Sequence, residues 1–192
     1  MKNKFRTISK IALVLIYFVI VAGAIVRMTG SGMGCPDWPK CFGYYVPPTD
    51  SKQLDFEPNH AYKQGMMILI DQEAFLVAKT DFISSDTLDT TNWETYNKHD
   101  YTTYDPVHTW VEFINRLVGV VSGIPILIFT VLSFWFWKKN KWIPIVSILT
   151  LFGMGFQAWL GKTVVDSNLA PYKITIHMVM ALLIVAFILY LI

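Results

Sequence analysis

A chain of 192 residues that is 54% hydrophobic and only 16% charged carries too few charges to solvate an ordinary soluble domain. Its net charge of +2 says little about partners, and no basic face with interleaved aromatics points to nucleic acid. The class that remains is an all-α polytopic membrane protein, a four-helix transmembrane bundle.

Four segments, about 8–27, 109–137, 142–161 and 174–192, are apolar over lengths close to the roughly 20 residues that cross a bilayer. Lys10, inside the first, has to snorkel. Lys2, Lys4, Arg6 and Lys10 lie in or before it, and Lys138, Lys139 and Lys141 fill the gap between the second and third spans. Both groups are therefore expected in the cytoplasm, which puts the loop 28–108 on the outer face. That loop holds twelve acids and five lysines, but at such length its charge has little say in topology. No small-residue cleavage pattern follows the first span, so it reads as a retained anchor rather than a signal peptide.

The first span ends at Arg27 and runs into Thr29-Gly-Ser-Gly-Met-Gly-Cys35-Pro-Asp-Trp-Pro-Lys-Cys41, which holds both cysteines of the chain. The spacing C-x₅-C is not the C-x-x-C of zinc or thioredoxin-like sites. With Gly30, Gly32, Gly34, Pro36 and Pro39 supplying turns, the pair could close a small disulfide ring on an oxidising outer face; in the cytoplasm the same residues would be reduced thiols or half a metal site. Lys63 to Lys79, with Met66, Met67, Leu69, Ile70, Phe75, Leu76 and Val77, is expected to form one amphipathic helix. Asp81 to Tyr104 shows no hydrophobic period and is expected to cover something or to move.

Asp105 as N-cap and Pro106 at the first helical position open the second span. From there His108, Glu112, Asn115 or Arg116, and Gly119 fall along one stripe. The bland reading is a Glu112–Arg116 pair anchoring the helix at the interface. Ionisable groups this close to hydrocarbon are functional candidates by default, and we favour function. Pro125 is expected to kink this helix. The third span offers Gly153, Gly155 and Gly161 for close packing and Gln157 for a bond between helices. His177, early in the fourth span, is expected at the depth of Glu112 and Asn115. It is either an interfacial hydrogen-bonder or an axial ligand of haem iron. Arg27, Arg116, Lys162 and Lys173 fall near the outer boundary, as interfacial anchors or as partners for carboxylates such as haem propionates. The last span stops at Ile192 with no polar stop after it, and we expect this chain to be cut from a longer one.

The residues now assembled resemble the haem A synthase family. Val26 to Cys41 is similar to that family's first outer loop, Glu112-Phe-Ile-Asn-Arg116 to its Glu-x-x-His-Arg motif, and Gln157-Ala-Trp-Leu-Gly161 with Thr175-Ile-His177 to its third and fourth spans. The resemblance covers nearly the whole chain outside an insertion-like region from Phe42 to Tyr104. It implies an eight-span enzyme of two homologous halves, with this chain, 1–192, as the N-terminal half. The implied reaction oxidises a methyl group of haem O to the formyl group of haem A, with water as the oxygen source and a haem b cofactor in the C-terminal half. Carried over by position, Glu112 is the catalytic carboxylate, Cys35 and Cys41 a redox-active or structural disulfide, His177 an iron ligand, and Arg27, Arg116 and Asn115 further contacts to the haem. A partly buried carboxylate suits such work, since it can accept a proton or stabilise a developing cation beside the ring. The family's second-span histidine is Asn115 here, and an amide is a poor iron ligand. His108 is a weaker substitute.

The expected partners are haem O, membrane lipid, haem O synthase, an electron acceptor and a second copy of the chain, in a bacterial-type cytoplasmic membrane. Two other readings compete: a non-catalytic haem-binding protein of oxidase assembly, motivated by Asn115, and a membrane disulfide-exchange protein, resting on Cys35 and Cys41.

Overall fold

A computed structural model describes residues 2–70, 74–98 and 103–192. The fold is mostly helical. Four helices, α1 (Lys2–Met28), α2 (Pro106–Ser133, extended by a 3₁₀ turn at Phe134–Phe136), α3 (Trp142–Asp166) and α4 (Pro171–Leu191), are each long and apolar enough to cross a membrane. α1, α2 and α3 run past the expected spans because hydropathy marks only the hydrocarbon-facing stretch, whereas the helices continue through polar residues. Lys10 is exposed. Asp105 caps α2 as the sequence implies, its carboxylate accepting from the amides of Val107 and His108 at 2.7 and 3.0 Å. α2 continues unbroken through Pro125.

The chain forms two compact units, Met1–Met28 with Ile114–Ile192, and Thr29–Phe113. In the helical unit α4 packs against α1 and α3. Its apolar core gathers Phe5, Ala12 and Ile16 of α1, Ile126 and Phe129 of α2, and Ile184, Val185, Ile188 and Leu191 of α4. Phe5 meets Phe129 edge-on at 6.1 Å and Phe136 at 5.3 Å. Buried hydroxyls in this region bond to helix carbonyls, as Ser9 does to Phe5, Thr150 to Val146, and Thr130 to Ile126 and Ser147, which satisfies them where no water reaches. All of this core lies toward the start of α1, the end of α2 and the end of α4. The opposite ends differ: residues 17–28 of α1, 114–121 of α2 and 171–183 of α4 include no buried residue.

The second unit corrects one expectation. Residues 63–79 do not form an amphipathic helix; they supply β2 (Met67–Ile70) and β3 (Ala74–Ala78), paired antiparallel with Ile68 opposite Leu76. β5 (Trp93–Thr95) pairs with β3, and β1 (Ala61–Tyr62) pairs with β4 (Phe82–Ile83). The period is two, and both faces are covered. Met67, Leu69, Phe75 and Val77 pack with Cys35, Cys41, Phe42 and Leu54, while Ile68, Ile70, Leu76 and Ala78 pack with Tyr62, Phe82 and Trp93. A strand pair apolar on both faces reads as a mixed apolar run, which helical periodicity imitates. The stretch 81–104, which shows no hydrophobic period, supplies β4, β5 and a 3₁₀ turn at Thr90–Asn92 in its described parts.

Candidate functional site

The cysteine loop is a built structure. Cys35 and Cys41 are joined by a disulfide, S–S 2.07 Å, and both are buried. Inside the ring the Asp37 carboxylate accepts from the amides of Phe42 at 2.6 Å and Gly43 at 2.9 Å, and Cys41 exchanges two backbone bonds with Tyr44. Two bonds tie the ring to the strands: Phe42 C=O accepts from the Met67 amide, and the Tyr96 hydroxyl donates to Pro36 C=O. Gly43 takes a φ of +82° and lies where a side chain would collide with the backbone of Gly65 and Met66.

This ring holds Glu112. Its Oε2 accepts from the backbone N–H of Cys35 at 2.8 Å, and the residue is only 4% exposed. One turn earlier on α2, Thr109 donates its hydroxyl to Gly34 C=O at 2.8 Å, and Cys35 Sγ rests 3.7 Å from Thr109 C=O in van der Waals contact. Gly34 is required for that approach, since a Cβ there would lie 2.4 Å from His108 C=O. Sequence reasoning assigned Gly34 to a turn and passed over Thr109. Its one usable signal was position, a hydroxyl one helical turn before Glu112 at the start of an apolar span. His108, the weaker iron-ligand candidate, is half-buried and joins this unit through its backbone.

The helical unit gathers the other candidates. His177 is half-buried, and its C=O accepts from Gln157 Nε2 on α3 at 2.9 Å. The glycines of α3 serve packing as expected at two positions: a Cβ at Gly153 would touch Ile184, and one at Gly161 would sit 3.5 Å from His177 Cε1. Arg27, at the end of α1, donates to Met178 Sδ at 3.3 Å, beside His177 in sequence. A thioether is a weak acceptor and leaves the guanidinium suited to an anion. Lys173 donates to Thr163 C=O at 3.2 Å and Lys162 faces Asp166 at 3.8 Å, so both are engaged at the end of α3. Asn115 points its Oδ1 toward Gly23 of α1, a Cβ on which would be 3.8 Å away, and Arg116 is half-buried one residue on.

Three side-chain atoms of this unit are shielded from solvent yet lack a hydrogen-bond partner: Asn115 Oδ1, Gln157 Oε1 and His177 Nδ1. Buried polar atoms are rarely left so, each costing about 1–3 kcal/mol. They come from α2, α3 and α4, in the stretches of α2 and α4 where no residue is fully buried. Among the described residues no three His, Cys, Asp or Glu side chains gather as a free-ion site. A lone imidazole with one available nitrogen fits an iron whose other ligands come with a macrocycle. The structure thus groups Cys35, Cys41 and Glu112 in one unit and Arg27, Asn115, Gln157 and His177 in the other, and α2 runs through both.

Comparison with known proteins covers most of the chain. The model of a family described as cytochrome oxidase assembly protein matches residues 6–80 and 87–192. The match continues through most of 42–104, which the sequence alone had set apart as insertion-like. A haem A synthase of Shewanella oneidensis is 27% identical over 169 residues, 88% of this chain and 39% of that protein. One of Flavobacterium psychrophilum is 27% identical over 181 residues, 90% of this chain and 45% of its own length. A haem A synthase of Geobacillus thermodenitrificans is 35% identical over 74 residues, 36% of this chain and 23% of that protein. The chain spans less than half the length of these curated relatives.

Proposed function

The chain belongs to the cytochrome oxidase assembly protein family, and we propose that it forms the haem-substrate half of a haem A synthase, one four-helix half of an eight-span membrane protein. The observation that carries the reading is His177, a half-buried imidazole with Arg27 at the adjoining Met178 and Gln157 on its carbonyl, together with relatives named for haem A synthesis. In this reading His177 ligates the iron of haem O, and Arg27 and Arg116 pair with its propionates. Asn115, an amide, would be a poor second ligand to that iron.

Oxidising the methyl group to formyl removes four electrons and four protons and adds the oxygen of one water. Glu112 is the carboxylate proposed to take up a proton or to stabilise positive charge developing beside the ring. A disulfide accepts two electrons, so Cys35–Cys41 alone does not balance the reaction. We assign the ring to holding Glu112, by the Cys35 amide, and the four electrons to an external electron acceptor; a haem b in the other half would supply one-electron redox chemistry. Haem O synthase is the proposed source of the substrate, and the membrane the bacterial-type cytoplasmic membrane, with the N-terminus inside. Exchange chemistry needs an accessible sulfur, and burial of both cysteines weighs against the disulfide-exchange reading.

The test is expression of the full-length protein in a host that makes haem O, followed by pigment extraction and chromatography. Formylated haem is expected, with Glu112→Gln reducing it at least tenfold while haem stays bound, and His177→Ala losing haem from the purified protein. Absence of formylated haem with unaltered Glu112 would overturn the enzyme reading. Stoichiometric haem without turnover would instead favour a haem-binding assembly protein, the reading that Asn115 in place of histidine supports.

A further inference from the structure

Gln157 is nine-tenths buried in α3, and its amide is oriented by a single bond. The His177 carbonyl can only accept, so the Gln157 atom facing it at 2.9 Å is the Nε2 donor, and Oε1 is the atom left shielded and unpartnered. On the same residue of α4, His177 Nδ1 is also shielded and unpartnered. The imidazole lies along this stripe of α3: Gly161, one turn after Gln157, has its Cβ position 3.5 Å from His177 Cε1, the ring carbon between the two nitrogens. The Cε1 corner of the ring therefore faces α3.

We propose that Gln157 is a positioning residue for His177, reading its backbone carbonyl with Nε2 and its Nδ1–H with Oε1, so that Nε2 of the imidazole is presented to haem iron. The proposal rests on the reading of His177 as an iron ligand. A histidine that binds a metal through one ring nitrogen carries a proton on the other, and that proton needs an acceptor, which fixes the tautomer and the ring plane. An acceptor and a ring nitrogen, both shielded and unpartnered on adjoining helices, answer that need when brought together, with the Nε2 bond holding the amide at His177. In an apolar helix interface such a bond is not diluted by water.

The test titrates ferric protoporphyrin IX haem into the detergent-purified 192-residue chain, followed by its Soret band and by redox titration. His177→Ala is expected to abolish the high-affinity site. Gln157→Leu should weaken haem binding by about 10–100-fold. Gln157→Glu keeps an acceptor but loses the donor to the His177 carbonyl; it should restore affinity and lower the reduction potential, because a carboxylate acceptor gives the ring more imidazolate character. If Glu behaves like Leu, only the backbone anchor matters and the proposal is overturned. Should the Glu variant not fold, Gln157→Met replaces it, and the ferrous iron–histidine stretch in resonance Raman decides: a downward shift supports the proposal and an unchanged frequency overturns it. Wild-type affinity and potential in Gln157→Leu, with haem lost from His177→Ala, refutes the role of Gln157 alone. Haem retained by His177→Ala refutes the underlying ligand assignment.

Discussion

Gly34 has an ordinary helical φ of −66°, so its need for glycine comes from space alone. A methyl group there would meet His108 C=O at 2.4 Å and the Thr109 amide at 2.8 Å, both rigid helix backbone. Gly34→Ala is expected to cost about 1–3 kcal/mol, the range for forced overpacking, and to weaken the Cys35 N–H bond to Glu112. Chemical denaturation should show the lower midpoint, and a midpoint equal to wild type would remove the close approach from consideration. Gly155→Ala serves as the contrast, since no atom lies within 4 Å of its Cβ position. At this scale the sequence made Cys35, Cys41, Glu112 and His177 visible as chemical types. The group that holds Glu112 is a backbone amide, which every residue but proline carries, so no side-chain pattern could announce it.

Among the elements, the start of α2 was legible to the residue. Asp105 and Pro106 act through local geometry that depends on nothing distant. The bond from the His108 amide, with a further one from Val107, holds the Asp105 carboxyl below the usual carboxylate range. A depressed folded-state pKa means the cap contributes fully above the unfolded value of about 3.9 and is lost as pH falls through the folded value. Amide protection at 107–109 should therefore drop in Asp105→Ala at neutral pH, and wild type should approach the variant in acid. Equal protection at neutral pH would contradict the cap. The strands β2 and β3 were misread because their identity is not local. Ile68 and Met67 are both buried, on opposite faces, against residues such as Trp93 and Cys41 that lie far away in sequence.

For the molecule as a whole, the lysines at 138, 139 and 141 and the basic N-terminus predict that these two segments share one side of the membrane and the segment 29–105 the other. With the native cysteines joined in a disulfide, single cysteines report the side: Leu88→Cys should react with an impermeant maleimide in intact cells, and Lys139→Cys only after permeabilisation. The reverse pattern, or labelling of both from one side, would discard the proposed orientation. The sequence by itself determined four apolar helices, where α2 begins, and which side chains are of chemically capable types, because hydropathy, capping and side-chain type are properties of short windows. Only the tertiary structure decided that the Cys35 amide takes Glu112, that Gln157 grips His177, and that 63–79 is strand rather than helix. Each of these depends on a partner many residues away, and the energy of burying or pairing a group is set by that partner rather than by its neighbours in the chain.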